Sequence, residues 1–144
     1  GWNLAANYAW TDAEIINPNN SSSTPPRTTP EHAAALTTSY EFLEGPVNGL
    51  RVGATYKYSD DYSFIEGTSN VDRFGSLVDG GYERVDLHAS YVPPFGNWQN
   101  LTLSFNWHNI FDEDILVAKQ GNPGYGVMFI DQQRMSFGVR YNFE

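Results

Sequence analysis

Residues 134–143 alternate without a break. Met135, Phe137, Val139, Tyr141 and Phe143 stand at odd positions; Arg134, Ser136, Gly138, Arg140 and Asn142 stand at even ones. Successive side chains of a strand point to opposite faces, so this run has one apolar and one polar face. The run covers ten residues, against about five or six for a soluble strand and about 9–11 for a tilted strand that crosses a bilayer. Its apolar face ends in Tyr141 and Phe143, as a bilayer-crossing strand ends at its interface. The run reads as the closing strand of a transmembrane β-barrel.

Five earlier stretches repeat the pattern. In Trp2–Glu14, Trp2, Leu4, Ala6, Tyr8 and Trp10 share a face. In His32–Phe42 the apolar set is Ala34, Leu36, Thr38, Tyr40 and Phe42; in Leu50–Ser59 it is Leu50, Val52, Ala54, Tyr56 and Tyr58. Val85, Leu87, Ala89 and Tyr91 mark Glu83–Val92, and Leu101, Leu103, Phe105 and Trp107 mark Asn100–His108. The connections alternate long and short. Asn17–Pro30 is a Pro- and Ser-rich loop, Asp60–Gly80 is long and acidic, and Ile110–Gln132 is a third long loop. Leu43–Gly49 and Pro93–Asn97 are tight turns. Bacterial barrels have this asymmetry, with short periplasmic turns and long extracellular loops. The expectation is an all-β fold: an antiparallel up-and-down meander of six long strands, forming part of a transmembrane β-barrel.

Placing the C-terminus on the periplasmic side sorts the aromatics into two girdles. Trp2, Tyr40, Phe42, Tyr91, Tyr141 and Phe143 fall at the periplasmic interface, and Trp10, Tyr56, Tyr58, Phe105 and Trp107 at the outer one. Trp2 and Trp10 are then ~20 Å apart along the membrane normal, at ~3.3 Å per residue and ~40° tilt, which suits an apolar band of about 25 Å.

A net charge of −9 argues against nucleic acid, whose phosphates call for a basic face. Without cysteine there is no disulfide framework and no thiolate metal site. The mean hydropathy of −0.46 does not contradict the membrane reading, because half of each barrel strand faces a polar lumen. No run of about 18 apolar residues provides a transmembrane helix. The start at Gly1-Trp2-Asn3-Leu4 is not a signal peptide, so the chain reads as mature or as a C-terminal piece of a longer protein.

No catalytic constellation is present. There is no Gly-x-Ser-x-Gly elbow. His88 and His108 share the lumen face, but the expected turn sets His108 nearer Arg84 than His88, so they read as polar lining and not as a metal pair. Asp60-Asp61 and Asp112-Glu113-Asp114 lack the spacing of a calcium loop and read as solvated loop. The Asn20-Ser21-Ser22 and Asn100-Leu101-Thr102 sequons read as chance in a bacterial protein. The lumen face carries Arg51, Lys57, Arg84, Asp86, His88, His108, Arg134 and Arg140. Ligand contacts are expected from the loops, with aromatic and Arg side chains as anchors: Arg27, Tyr62, Phe64, Arg73, Phe74, Tyr125 and Phe129.

At Asn106–Asp114 and at Arg140-Tyr141-Asn142-Phe143, the sequence resembles the C-terminal part of TonB-dependent outer-membrane receptors. Pro30-Glu31-His32, Tyr40-Glu41-Phe42 and Gly49–Gly53 are similar to the family's strand boundaries, so the likeness covers nearly the whole chain. It implies a 22-stranded barrel in the bacterial outer membrane, filled by an N-terminal plug. That barrel imports a scarce nutrient, such as an iron-siderophore, with energy from TonB delivered through the N-terminal part. It also implies that Phe137, Val139, Tyr141 and Phe143 form the signal read by the barrel-assembly machinery, although here Glu144 follows the terminal aromatic. Six strands are fewer than the eight of the smallest barrels, so residues 1–144 are expected to be the C-terminal portion, with plug and remaining strands elsewhere. The implied partners are outer-membrane lipid, the rest of the barrel, the plug and a small-molecule nutrient, with no resident cofactor. Two alternatives are a small pore closed by oligomerisation and a soluble, lipocalin-like ligand-binding barrel. The second requires the apolar face inside, yet the opposite face carries Ala5, Ala9, Ala33, Ala35, Gly53 and Gly138, which are too small and apolar for a dedicated solvent face.

Overall fold

The computed structural model describes residues 1–16, 19, 23–24, 29–62, 80–121 and 124–143, the backbone alone at 15, 23–24, 97, 117–121 and 124–130. The strands are β1 (Trp2–Trp10), β2 (Ile15–Ile16), β3 (Ser23–Thr24), β4 (His32–Glu41), β5 (Leu50–Ser59), β6 (Tyr82–Tyr91), β7 (Leu101–His108), β8 (Ile115–Gly121), β9 (Gly124–Ile130) and β10 (Arg134–Tyr141). Six of them form one antiparallel sheet in the order β1-β4-β5-β6-β7-β10. β1 and β10 are its edges, and the expected all-β meander is the observed one.

Register explains why each strand keeps its faces. Trp2 lies opposite Tyr40, Ala6 opposite Leu36, Leu36 opposite Tyr56, Ala54 opposite Leu87, Ala89 opposite Phe105, and Phe105 opposite Phe137. The outward residues of all six strands therefore join into one apolar surface. A slip of one residue would turn every side chain over. The apolar surface does not fold into a core: among the described residues, Ile115 is the sole buried hydrophobic side chain. Phe137 is 81% exposed and Trp2 77%.

At the turn end, aromatic rings touch across and along strands. Trp2 and Tyr40 have centroids 5.0 Å apart, Tyr40 and Phe42 4.8 Å, and Tyr141 and Phe143 4.8 Å. The turn after β4 closes through Phe42 N–H to Leu50 O and Gly49 N–H to Phe42 O. Gly49 sits at φ +85, and a Cβ there would stand 2.1 Å from the Val92 carbonyl oxygen, so only glycine fits.

Four boundaries differ from expectation. β1 stops at Trp10, not Glu14: its partner strand starts at His32, just after Pro30, which has no N–H to give. β10 pairs through Tyr141, with one further bond from Asn142 N–H to Asn100 O at 3.0 Å, because its partner β7 begins only at Leu101. The third long loop contains a hairpin, β8 against β9, closed between Gly121 and Gly124. Its clustered apolar residues at 115–118 hide the alternation. Finally, a 3-10 turn at Gly96–Asn100 lengthens the connection to β7. His88 then pairs with Asn106 and Leu87 with Trp107, which sets His108 beside Asp86 instead of Arg84.

Candidate functional site

The polar face is built from cross-strand rows. One runs Ala5–Thr37–Thr55–Asp86, and beside it run Asn3–Ser39–Gly53–His88–Asn106–Ser136 and Asn7–Ala35–Lys57–Arg84. Neighbours in a row stand close enough to bond directly. Thr37 and Thr55 hydroxyls meet at 3.1 Å. Gly53 leaves room for the His88 ring: an added Cβ would lie 2.4 Å from His88 Nε2 and 2.6 Å from the Thr38 carbonyl oxygen. At the turn end, Arg51 Nη2 donates to Glu41 Oε2 at 2.6 Å.

The densest part lies at the loop end of β6 and β7. Arg84 and Asp86 are two residues apart on β6, hence on one face. Their side chains are 10% and 13% exposed, and Arg84 Nη2 is 3.0 Å from Asp86 Oδ2. Arg84 Nη1 also pairs with Asp131, which directly precedes the loop's return into β10. Asp86 Oδ1 accepts the Asn109 backbone N–H at 2.9 Å and lies 3.7 Å from His108 Nδ1. Asn109 is fully buried and adopts φ 51, a left-handed conformation that Asn tolerates better than most residues. Its Nδ2 donates to Glu113 O at 2.7 Å and to Asp131 O at 2.9 Å, while its Oδ1 accepts Glu113 N–H at 2.9 Å. One buried amide thus joins the start of the third loop to its end. Gln133 adds to this, donating from Nε2 to Ile110 O and from its backbone N–H to Asp112 Oδ1.

Of the expected lumen residues, the structure brings together Arg84, Asp86 and His108. Arg51 pairs separately with Glu41, and His88 packs over Gly53. Lys57, Arg134 and Arg140 lie on the same face without a carboxylate partner among the described residues. Asn109, Asp131 and Gln133 were not singled out from the sequence. The signal for Asn109 was an Asn directly after a strand and ahead of an acidic run, where side-chain-to-backbone bonds compete with pairing. Among the described residues, no three His, Asp or Glu side chains converge on a metal position.

Of the expected loop contacts, Arg27, Phe64, Arg73 and Phe74 lie outside the described residues. Tyr125 and Phe129 take part in the β8–β9 ladder, opposite Gln120 and Leu116. Tyr62 is described in full. Its hydroxyl donates to Leu116 O at 3.4 Å, and its ring occupies the space where a Gly80 Cβ would stand, 2.1 Å away. Burial, and then the nearby Tyr82, hold its phenol above the usual tyrosine range.

Residues 1–110 match the family model described as TonB dependent receptor-like, beta-barrel. The chain is also 27% identical over 116 residues to the "Ferrichrome outer membrane transporter/phage receptor" of Escherichia coli (strain K12). That match covers 81% of this chain and 15% of the relative, so the chain spans a small part of that protein's length.

Proposed function

The chain belongs to the TonB-dependent receptor β-barrel family, a family of bacterial outer-membrane transporters and not of enzymes, and on that premise we propose that residues 1–144 form the C-terminal wall of a receptor for active uptake of a scarce nutrient such as an iron-siderophore. The observation that carries this reading is the single six-stranded sheet, apolar outward and polar inward, whose edges β1 and β10 have no further partner strand among the described residues. Open edges are not stable in lipid, so further strands of the same receptor would pair with both. Family membership replaces the lipocalin-like alternative, and the far longer relative favours strands of the same receptor over copies of this chain as partners for the two edges.

Within this reading the parts divide the work. The outward face meets outer-membrane lipid. Arg51, Lys57, Arg84, Asp86, His88, His108, Arg134 and Arg140 face the lumen, where a plug domain would dock. Arg27, Tyr62, Phe64, Arg73, Phe74, Tyr125 and Phe129 belong to the extracellular connections and would shape the mouth that receives the nutrient. TonB would act through the N-terminal part, and Phe137, Val139, Tyr141 and Phe143 would present the assembly signal. Ferrichrome is the first substrate to try, because the relative named above is a ferrichrome transporter. The test is uptake of radiolabelled iron bound to ferrichrome in cells that carry the whole receptor as their sole candidate, with and without TonB. TonB-dependent accumulation is expected. Accumulation that persists without TonB would overturn the active-uptake reading, and none with ferrichrome but uptake with another chelate would replace the substrate.

A further inference from the structure

The polar face holds a recess of about 350 Å³ near the loop end of β1, β4 and β5. Two neighbouring rows make it. One is Asn7–Ala35–Lys57–Arg84; the other is Ala9–Ala33–Ser59–Tyr82. The methyl groups of Ala9, Ala33 and Ala35 leave the floor low, while Asn7, Lys57 and Tyr82 stand around it. The volume lies at the small end of the range for small-molecule pockets, about 300–1,000 Å³.

Lys57 is the feature that asks for a ligand. It has no carboxylate partner among the described residues. Arg134 and Arg140 share that property, but they lie on the edge strand β10, where another strand could supply an anion. Lys57 lies inside the sheet, with both lateral places taken by Ala35 and Arg84. Arg84 is a like charge directly opposite, an arrangement that is destabilising on a sheet unless it is neutralised. Asp86 and Asp131 neutralise Arg84, and Asp86 also holds the Asn109 N–H. Both carboxylates are engaged by Arg84 and neither is within ion-pair distance of Lys57, so the Lys57 ammonium keeps its donors open to a partner from the lumen side.

We propose that this recess binds a carboxylate, with the Lys57 ammonium as its charge partner and the Asn7 amide and Tyr82 hydroxyl as flanking donors. A compact ammonium with three donors suits a single carboxylate approaching over a low floor. The inference rests on the receptor reading, in which two sources supply that chemistry: a carboxylate of the transported ligand, or an acidic side chain of the plug.

Citrate is the probe, titrated calorimetrically into the whole receptor as wild type, Lys57→Gln and Ala35→Leu. The first variant removes the charge; the second keeps it and raises the floor. If the ligand is the source, citrate binds the plugged wild type, and both variants weaken it about tenfold or more, the size of one lost charge-assisted hydrogen bond. If the plug is the source, citrate binds only after urea releases the plug, and Lys57→Gln lowers the urea concentration needed for release. Citrate affinity and plug release both unchanged in Lys57→Gln overturn the proposal. Iron uptake by the same wild-type cells keeps the two readings apart: intact TonB-dependent uptake with no Lys57 effect removes the recess alone, whereas uptake independent of TonB removes the receptor reading.

Discussion

On the outward side of β10, Phe137 and Val139 are 81% and 75% exposed. On the inward side of β6, the charged side chains of Arg84 and Asp86 are 10% and 13% exposed. This inverts the order of a soluble domain, where apolar groups are inside and charges outside. The outward face needs only apolar area of any shape, because lipid surrounds it. The inward face works through directed bonds: Arg84 to two carboxylates, and Asn109 to two carbonyls and one N–H. The two faces should therefore respond to different kinds of mutation. Outside, polarity should matter and shape should not; inside, a change of one atom should matter even when polarity is kept.

The largest effect is expected where a charge enters the lipid face. Val139→Arg should cost about 2–4 kcal/mol for a cation near the middle of the bilayer, while Val139→Leu should be close to neutral. Urea unfolding of the whole receptor in phospholipid vesicles measures both, and equal losses for the two variants would contradict the claim that polarity rules this face. Asn109→Ala comes next. It leaves the Glu113 N–H and the Asp131 carbonyl without their partner, at about 1–3 kcal/mol for a buried unsatisfied group. Asn109→Asp tests geometry at nearly constant shape, since it removes the Nδ2 donor that serves both carbonyls. Faster hydrogen exchange at Glu113 is expected in Asn109→Ala, whereas Asn109→Asp keeps the acceptor of that N–H and should lose stability without that faster exchange.

Period-two alternation made the outward face legible in the sequence, since lipid imposes the same demand on every strand. All six sheet strands, and the side of each that carries its apolar residues, follow from it. The inward network was harder to read, because its bonds depend on which residues the register sets side by side. The 3-10 turn at Gly96–Asn100 moved His108 from Arg84 to Asp86, and no residue in that turn announces its length. Asn109 and Asp131 are 22 positions apart; their contact exists only because the β8–β9 hairpin folds the intervening chain back. That hairpin was itself missed, since its apolar residues cluster instead of alternating. The loop-contact candidates rest on residue type alone, and for Tyr62 the structure adds a packing role that residue type does not announce. Its ring packs on Gly80 and its hydroxyl reaches a backbone carbonyl, a role in holding two connections together.

A smaller effect should come from Gly53, where the comparison of faces is sharpest. Gly53 and Ala54 are adjacent on β5, one inward and one outward. Gly53→Ala places a methyl 2.4 Å from His88 Nε2 and 2.6 Å from a backbone carbonyl. The imidazole can turn aside but the carbonyl cannot, so a loss of about 1 kcal/mol is expected, at the low end for overpacking. Ala54→Val, which adds more volume on the outward side, should cost less. The reverse order in the same vesicle unfolding assay would mean that the outward face is as closely fitted as the inward one.

The smallest effect belongs to Tyr62, which lies beyond the end of β5 and outside both faces of the sheet. Its phenol is held above the ordinary tyrosine value of about 10, first by burial and then by Tyr82. A raised value in the folded state means that the folded protein holds this proton more tightly than the unfolded chain. The stability tied to Tyr62 is then fully present below pH ~10 and is lost as pH rises through the raised value. Tyrosinate absorbance, taken as the difference between wild type and Tyr62→Phe, should show this phenol ionising later than an exposed tyrosine. Over the same alkaline range, protection of Gly80 N–H, which bonds the Tyr62 carbonyl at 3.2 Å, should fall in the wild type and hold in Tyr62→Phe once the base-catalysed rise of exchange common to both is divided out. Ionisation at the ordinary value would show the ring to be solvated, and would overturn its packing role between the two connections.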